Sequence, residues 1–382
     1  MMSLLNVGII GTGSRARSHI PVILKLCDIY KLVAVCDIDE ARVKKVAEET
    51  KAKPYTDIEK MLNKEELDVC LISIQAEGHH IVAKVLAERG IHILTETPLA
   101  ITVACAEQMI RAAKDNGVLL EVSENVPRWP HERLKQKIVA DGLLGDVKEF
   151  YLSYTSGSYH GIAGIRKILN SEGESVLGEF PSETSVLERA QISFTNNVRG
   201  IYEFNRNRGN YWEIVGTKGA IMGEHLQLFE GDRRITSEIK YEEAEISGKK
   251  RVVGAKVETQ PKVMVRGSPE WFQADSYDEL ALADAWMSLY NAAVDGRPLT
   301  YGAENARRDL ELLMAIRDSE TRGGIRIDLP LRDITEYERL VHKEFAMIYG
   351  SDPLDSNLYQ LKAKYALPGS LREMMYYGRV IK

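Results

Sequence analysis

Gly8-Ile9-Ile10-Gly11-Thr12-Gly13-Ser14-Arg15-Ala16 is the stretch on which the reading of this chain turns. A continuous apolar run, Leu4 to Ile10, leads into it, and a helix-forming segment leads out. Gly-x-Gly-x-x-Ala between a strand and a helix makes a phosphate loop. Gly11 permits the tight turn, Gly13 lets the main chain approach a pyrophosphate held at the helix N-terminus, and Ala16 allows close helix–strand packing. A second element agrees with the first. Asp37 ends the next apolar run, 24 residues after Gly13. An acidic side chain there hydrogen-bonds the ribose hydroxyls of NAD and repels the 2′-phosphate of NADP, and neighbouring Ile38 and Asp39 offer that phosphate no arginine. The spacing predicts NAD rather than NADP, bound by Gly11, Thr12, Gly13, Ser14, Arg15 and Asp37.

Working outward, further strand-length apolar runs follow at Leu32–Cys36, Val69–Ile74, His92–Thr95 and Val118–Val122. Runs apolar on both faces suit a parallel sheet covered on both sides. Helical periodicity fills the gaps at 40–51, 80–89 and 104–116, the last two closed by Gly90 and Gly117, which supply the left-handed position after a helix. Residues 1–124 therefore read as a doubly wound α/β, Rossmann-type domain. After Pro127-Arg128-Trp129-Pro130 the texture changes. One helix (132–141) precedes a series of alternating strands, and two helices follow at 278–293 and 303–322. Residues 125–332 are expected to form an α+β domain with a large open, mainly antiparallel sheet. Residues 333–382 form a C-terminal helical tail in this reading.

The 382 residues, 44% hydrophobic and 28% charged, are ordinary globular composition and exclude a disordered or collagen-like chain. A net charge of −6 gives no footprint for nucleic acid. No apolar stretch approaches the ~20 residues of a membrane helix, and no signal peptide is read at the start. Cys27, Cys36, Cys70 and Cys105 form no C-x-x-C pair. They are expected to be reduced core residues of a cytoplasmic protein. His79 and His80 are adjacent on a helix, so their rings diverge by about 100° and do not chelate. No metal is expected.

Further motifs give the chain a resemblance. Ser73-Ile74-Gln75-Ala76-Glu77-Gly78-His79 leads a helix to Gly90-Ile91-His92-Ile93-Leu94-Thr95-Glu96-Thr97-Pro98-Leu99-Ala100. This resembles the H…A-G-K-H-V-x-x-E-K-P-L-A stretch of the glucose–fructose oxidoreductase / inositol dehydrogenase (Gfo/Idh/MocA) family. Ile214-Val215-Gly216-Thr217-Lys218-Gly219 and the closing Ile327-Asp328-Leu329-Pro330-Leu331 are similar to later motifs of the same family. The resemblance covers about residues 5–332. It implies an NAD(P)-dependent oxidoreductase acting on a carbinol of a sugar, sugar derivative or cyclitol. It also places Ile74, Gln75, His79 and Glu96 near the cofactor. Asn125 is a further candidate, facing the nicotinamide amide. Arg128 and Trp129 fit the family's arginine–aromatic–proline segment and, with Tyr154 and Arg166, are the candidates for substrate binding.

The chain also departs from the family. The lysine of the family's E-K-P motif, which assists proton transfer at the substrate oxygen, is Thr97 here, and a threonine hydroxyl is no cationic acid. The family's D-x-G-x-H-x-x-D helix maps onto Ser156 to Ala163. It keeps His160 and loses both aspartates, to Ser156 and Ala163. His160 becomes the leading acid/base, supported by Tyr159 and Thr97. Three functions stay open: a dehydrogenase with a non-standard acid/base set, an NAD-retaining glycosidase or lyase that oxidises its substrate transiently, and a non-catalytic NAD-binding protein. The open sheet and the tail are expected to build a homo-oligomer, dimer or tetramer, with the tail clasping a neighbour.

Overall fold

The computed structural model describes residues 3–154, 158–179, 186–205, 207–362, 371 and 374–375. It divides into two compact units. The first contains Met1–Glu124, Leu282–Arg307 and His342–Pro368; the second contains Asn125–Ala281, Arg308–Val341 and Gly369–Lys382.

The first unit alternates β1 (Leu5–Ile10), α1 (Ser14–Lys25), β2 (Tyr30–Cys36), α2 (Glu40–Thr50), β3 (Lys53–Tyr55), α3 (Ile58–Lys64), β4 (Val69–Ile72), α4 (His79–Ala87), β5 (His92–Thr95), α5 (Val103–Asp115) and β6 (Leu120–Val122). The strand order is β3-β2-β1-β4-β5-β6, parallel throughout. The order reverses direction between β1 and β4, the switch point where ligands of such sheets bind. All of β4 is buried, as a strand covered on both faces must be. Val7, Ile9, Leu71 and Leu94 are fully buried, and each such side chain contributes roughly 1.5–3 kcal/mol. The edge strand β3, Lys-Pro-Tyr, is an addition to the expected strands. With Pro54 and no apolar run it carries no strand signature, and an edge is the position that tolerates proline.

The second unit begins with α6 (Pro130–Ala140), β7 (Val147–Tyr154), α7 (Ser158–Leu169), β8 (Gly173–Glu179), β9 (Val186–Phe194) and β10 (Arg199–Asn205). It continues through β11 (Tyr211–Gly216), β12 (Gly219–Met222), β13 (His225–Glu230), β14 (Arg233–Ile246), β15 (Lys249–Val257) and β16 (Val263–Arg266). After α8 (Tyr277–Asp295) and α9 (Gly302–Thr321) comes β17 (Arg326–Asp328). These strands make one 11-stranded sheet, β16-β15-β14-β13-β12-β11-β7-β10-β9-β8-β17, in which only β7 and β10 pair in parallel. Lys249-Lys250-Arg251, which looks like a solvated turn in the sequence, opens β15 opposite the charged β14.

The tail forms α10 (Glu336–Tyr349) and α11 (Leu358–Lys362). Its described residues make contacts within their own chain. In the second unit, buried Arg317 donates to the carbonyls of Met374 (3.2 Å) and Met375 (2.9 Å), and the Tyr337 hydroxyl donates to Met374 O. In the first unit, Gln108 donates to Leu354 O at 2.9 Å. These backbone acceptors are satisfied within the chain. Cys36, Cys70 and Cys105 are buried, Cys27 is exposed, and all four are free thiols.

Candidate functional site

The phosphate loop is fixed by what glycine makes possible. Gly11 has φ of 91°, and a Cβ there would lie 2.3 Å from the Ser73 carbonyl oxygen. Only glycine lets the loop press against the end of β4. Gly13 is the opposite case: a Cβ there would meet nothing within 4 Å. It is the N-cap of α1, and no side chain caps that helix end. The space and the backbone N–H groups suit a pyrophosphate. Exposed Ser14 opens α1, and Ala16 is fully buried beneath it.

Asp37 is tied to this loop directly. Its Oδ2 accepts from Thr12 N (2.7 Å) and Thr12 Oγ1 (2.8 Å), and its Oδ1 accepts from Asp39 N (3.0 Å). A carboxylate offers about four acceptor positions, so Oδ1 keeps one for a ribose hydroxyl. Asp37 therefore closes the loop. Sequence reasoning missed Arg42. Its guanidinium reaches Asp39 Oδ2 at 3.0 Å and Asp37 Oδ2 at 3.5 Å.

Glu96 anchors the other side of the loop. Its Oε1 accepts from Arg15 Nε (3.1 Å) and lies 2.7 Å from His19 Nε2; its Oε2 accepts from Thr97 N (3.3 Å). Trp286 Nε1 donates to His19 Nδ1 at 3.0 Å. An indole N–H only donates, so Nδ1 accepts and Nε2 carries the proton that bonds Glu96. Burial pushes the Glu96 carboxyl up, but the His19 bond and the Arg15 charge outweigh it and hold the pKa at about 2. Glu96 is thus a buried carboxylate that steers Arg15 and the backbone of half-buried Thr97. His19 and Trp286 had no local signal, being 267 residues apart in sequence. His79 Nδ1 lies 3.0 Å from Pro98 O and its Nε2 lies 3.2 Å from Ile74 O. Burial lowers its pKa, so the neutral ring donates to one carbonyl at a time and joins the loop after β4 to the loop after β5. Ile74 packs against Gly11, while Gln75 is exposed.

The second unit brings a different group together. Tyr154 ends β7, and Tyr159 and His160 occupy the first turn of α7. Ring centroids of Tyr159 and His160 are 4.3 Å apart, those of Tyr154 and His160 6.3 Å. The glycines of α7 allow this. A Cβ at Gly161 would stand 3.1 Å from Tyr154 Cβ, and one at Gly164 2.4 Å from Trp212 Cη2. Ala163 is buried on the same helix; Ser156 lies outside the described residues. Asn125 Nδ2 (2.6 Å) and Trp129 Nε1 (3.3 Å) both donate to Asp278 Oδ1, a gathering residue far off in sequence. Arg128 is buried in the short helical turn Val126–Arg128. Buried Arg166 is ion-paired with Asp309 and with Glu172 (2.6 Å). That gives it a framework role the sequence did not indicate. Its neighbour Lys167, also missed, has its pKa lowered by burial and by the charges of Arg166 and Arg128. Among the described residues no His/Cys/Asp/Glu cluster suits a metal, and no helix is long and apolar enough to cross a membrane.

Residues 5–124 match the model of the Gfo/Idh/MocA oxidoreductase family, described as an NAD-binding Rossmann fold. Over that domain the chain is similar to members of this family. Among curated proteins it is similar to an α-N-acetylgalactosaminidase of Shewanella oneidensis, 31% identical over 156 residues (38% of this chain, 34% of that protein). It is also similar to a D-apiose dehydrogenase of Paraburkholderia graminis, 30% identical over 138 residues (36% of each). The match thus spans about a third of the length of these family relatives. A levoglucosan dehydrogenase solved with NADH and levoglucosan shares the fold, with a TM-score of 0.69 at 19% identity over 86% of this chain and all of that one.

Proposed function

We propose that this protein is an NAD-dependent oxidoreductase acting on a carbinol of a sugar, sugar derivative or cyclitol. The observation that carries the cofactor assignment is the loop itself. Gly11 admits no side chain, Gly13 opens onto space, and Asp37 joins the loop while keeping an acceptor for ribose. NAD, when bound, supplies the hydride acceptor. The chain supplies the rest. α1 orients the pyrophosphate, Asp37 selects the unphosphorylated ribose, and Glu96 fixes Arg15. Oxidising a carbinol also releases the hydroxyl proton. His160 is the group that takes it, with Tyr159 and Tyr154 beside it and Thr97 as a hydrogen-bonding hydroxyl. Arg128 and Trp129 are assigned to the substrate.

The dehydrogenase relatives support net oxidation. The α-N-acetylgalactosaminidase likeness favours a second reading, in which retained NAD is used transiently and a glycoside is cleaved. One assay separates them. Protein is denatured and the released nicotinamide cofactor identified; native protein is then offered polyols and glycosides while absorbance near 340 nm is followed. Net NADH formation supports the dehydrogenase. Glycoside turnover on retained NAD without net NADH supports the second reading, and bound NAD with no turnover rejects both. His160→Ala is expected to lower kcat by about 10²–10⁴; a loss within about threefold would remove His160 from the chemistry.

A homo-oligomer through the sheet is part of the proposal. Glu149, Tyr151, Gln191, Ile201, Glu213 and Val215 line a concavity of about 500 Å³ on the sheet face, and this is the surface we assign to contact with a second copy. Ile201→Asp combined with Val215→Asp is expected to yield a monomer by light scattering; an unchanged mass rejects this interface.

A further inference from the structure

The loop between β4 and α4 forms one wall of the phosphate site, since the Ser73 carbonyl and Ile74 both lie against Gly11. The same loop carries Glu77, a carboxyl only 3% exposed, in the single turn Ala76–Gly78. Nothing in the proposed chemistry uses it. Its Oε1 accepts from the Tyr349 hydroxyl at 3.2 Å; its Oε2 is buried with no hydrogen-bond partner among the described residues. Tyr349 is the last residue of α10, so the partner comes from the tail, beyond the reach of the family resemblance.

Other contacts bring the tail to the same region of the first unit. His80 Nε2 donates to Pro353 O at 2.8 Å. His342 joins Thr102 Oγ1 (3.0 Å) to Asp352 Oδ2 (3.1 Å). Phe345 lies 4.4 Å from the Tyr349 ring and 6.5 Å from that of His80. A Cβ at Gly78 would be 2.7 Å from Ile74 Cδ1 and 3.2 Å from Leu361 Cδ1. The loop is therefore packed between Gly11 on one side and the tail on the other.

We propose that the tail is a strap that positions the β4–α4 loop for the dinucleotide by enclosing Glu77 beside Tyr349, and that the strap loosens when Glu77, its Oε2 buried with no hydrogen-bond partner among the described residues, loses its proton. This rests on the NAD reading above. The direction follows from linkage. Burial pushes the Glu77 carboxyl up to about 7, outweighing the Tyr349 hydrogen bond, which favours the ionised form. The docked state therefore holds a proton that an exposed carboxyl gives up near its ordinary value of 4.5. Docking is fully favoured below that ordinary value and weakens as pH rises through about 7. Tyr349 is the titratable group in contact with Glu77; His79, His80, His342 and Asp352 interact with one another on the neighbouring elements, and α4 and α10 also carry Lys84, Lys343 and Glu344. Burial raises the Tyr349 phenol and lowers His79 and His80, the latter to about 4. These three keep one charge state above about pH 6.5. His342 is paired with Asp352.

The test is NAD binding by titration calorimetry to the full-length protein between pH 6 and 8.5. Wild-type affinity is expected to fall from pH 6 to about 7 and level off above it, and Glu77→Gln to abolish this dependence. Tyr349→Phe is expected to weaken NAD about three- to tenfold at pH 6, the size of one buried hydrogen bond. It should also speed hydrogen exchange at residues 73–80. A flat wild-type profile, a pH dependence that survives Glu77→Gln, or wild-type affinity and exchange in Tyr349→Phe each overturns the strap while leaving the NAD assignment standing. No NAD binding by the wild type at any pH overturns both.

Discussion

The two units handle charge in opposite ways. In the first, carboxylates organise a loop whose outward side stays open: Asp37 and Glu96 hold Thr12, Arg15 and Thr97 from behind, and Gly13 faces space. In the second, two buried arginines are closed on carboxylates. Arg317 and Glu188, each 1% exposed, pair at 2.8 Å. Arg166 is shared between Asp309 and Glu172. The first pattern prepares a place for a charged ligand. The second ties α7, which carries Tyr159 and His160, to α9 through Arg166 and Asp309. Substitutions in the two units should therefore fail differently.

The largest effect is expected at Arg317. Arg317→Ala leaves Glu188 buried without its cation and releases the Met374 and Met375 carbonyls, a loss of about 3–5 kcal/mol in unfolding free energy. Denaturant titration should register it, and NAD affinity per folded molecule should not change. An effect below about 1 kcal/mol would mean that this pair adds little to the fold.

Next come the two loop glycines, used as a pair. Gly11→Ala forces a positive φ on alanine and drives Cβ into the Ser73 carbonyl. It should cost about 1–3 kcal/mol of stability together with the cofactor. Gly13→Ala meets no atom of the protein. It should leave stability within about 0.5 kcal/mol and still lower NAD affinity at least tenfold. Equal stability losses would show that the loop is packed for its own sake.

Glu96→Gln probes the carboxylate behind Arg15. Because its pKa is held near 2, its contribution is present above the ordinary 4.5 and disappears as pH falls toward 2. The variant should be less stable than wild type by about 1.5–3 kcal/mol at pH 7. The gap should close between pH 4.5 and 2 in thermal scans. A gap independent of pH would place the effect in packing instead.

The contrast between the units also separates what was legible in the sequence from what was not. The phosphate loop and Asp37 were readable because each works through local spacing: a turn, a helix start, a strand end. The parallel strands were readable because double burial writes continuous apolar runs. His19, Trp286, Asp278 and Tyr349 were not. Their partners are brought in by tertiary packing, across 149 to 272 residues of chain for Asp278–Trp129 and Tyr349–Glu77. The long strand β14 was missed because its alternation is largely of charged residues, which reads as solvated surface. The ion pairs of Arg166 were illegible for a related reason: a framework arginine and a ligand-binding arginine are the same letter until Asp309 is seen beside it.

The smallest expected effect tests how firmly the ribose corner is set for NAD. Asp39 is the N-cap of α2, accepting from Arg42 N at 3.0 Å, while its other oxygen holds the Arg42 guanidinium at 3.0 Å. Asp39→Ala removes both bonds. Loss of the cap should cost about 1 kcal/mol. The freed guanidinium keeps only its 3.5 Å approach to Asp37 and becomes available to a 2′-phosphate, the fork geometry suiting that group. NADP affinity should rise about three- to tenfold with NAD affinity unchanged, since Asp37 is untouched, and Arg42→Ala in the same background should reverse the gain. If NADP binding does not move, Asp37 alone excludes the phosphate, and the acidic corner of the first unit needs no partner to hold its arginine away.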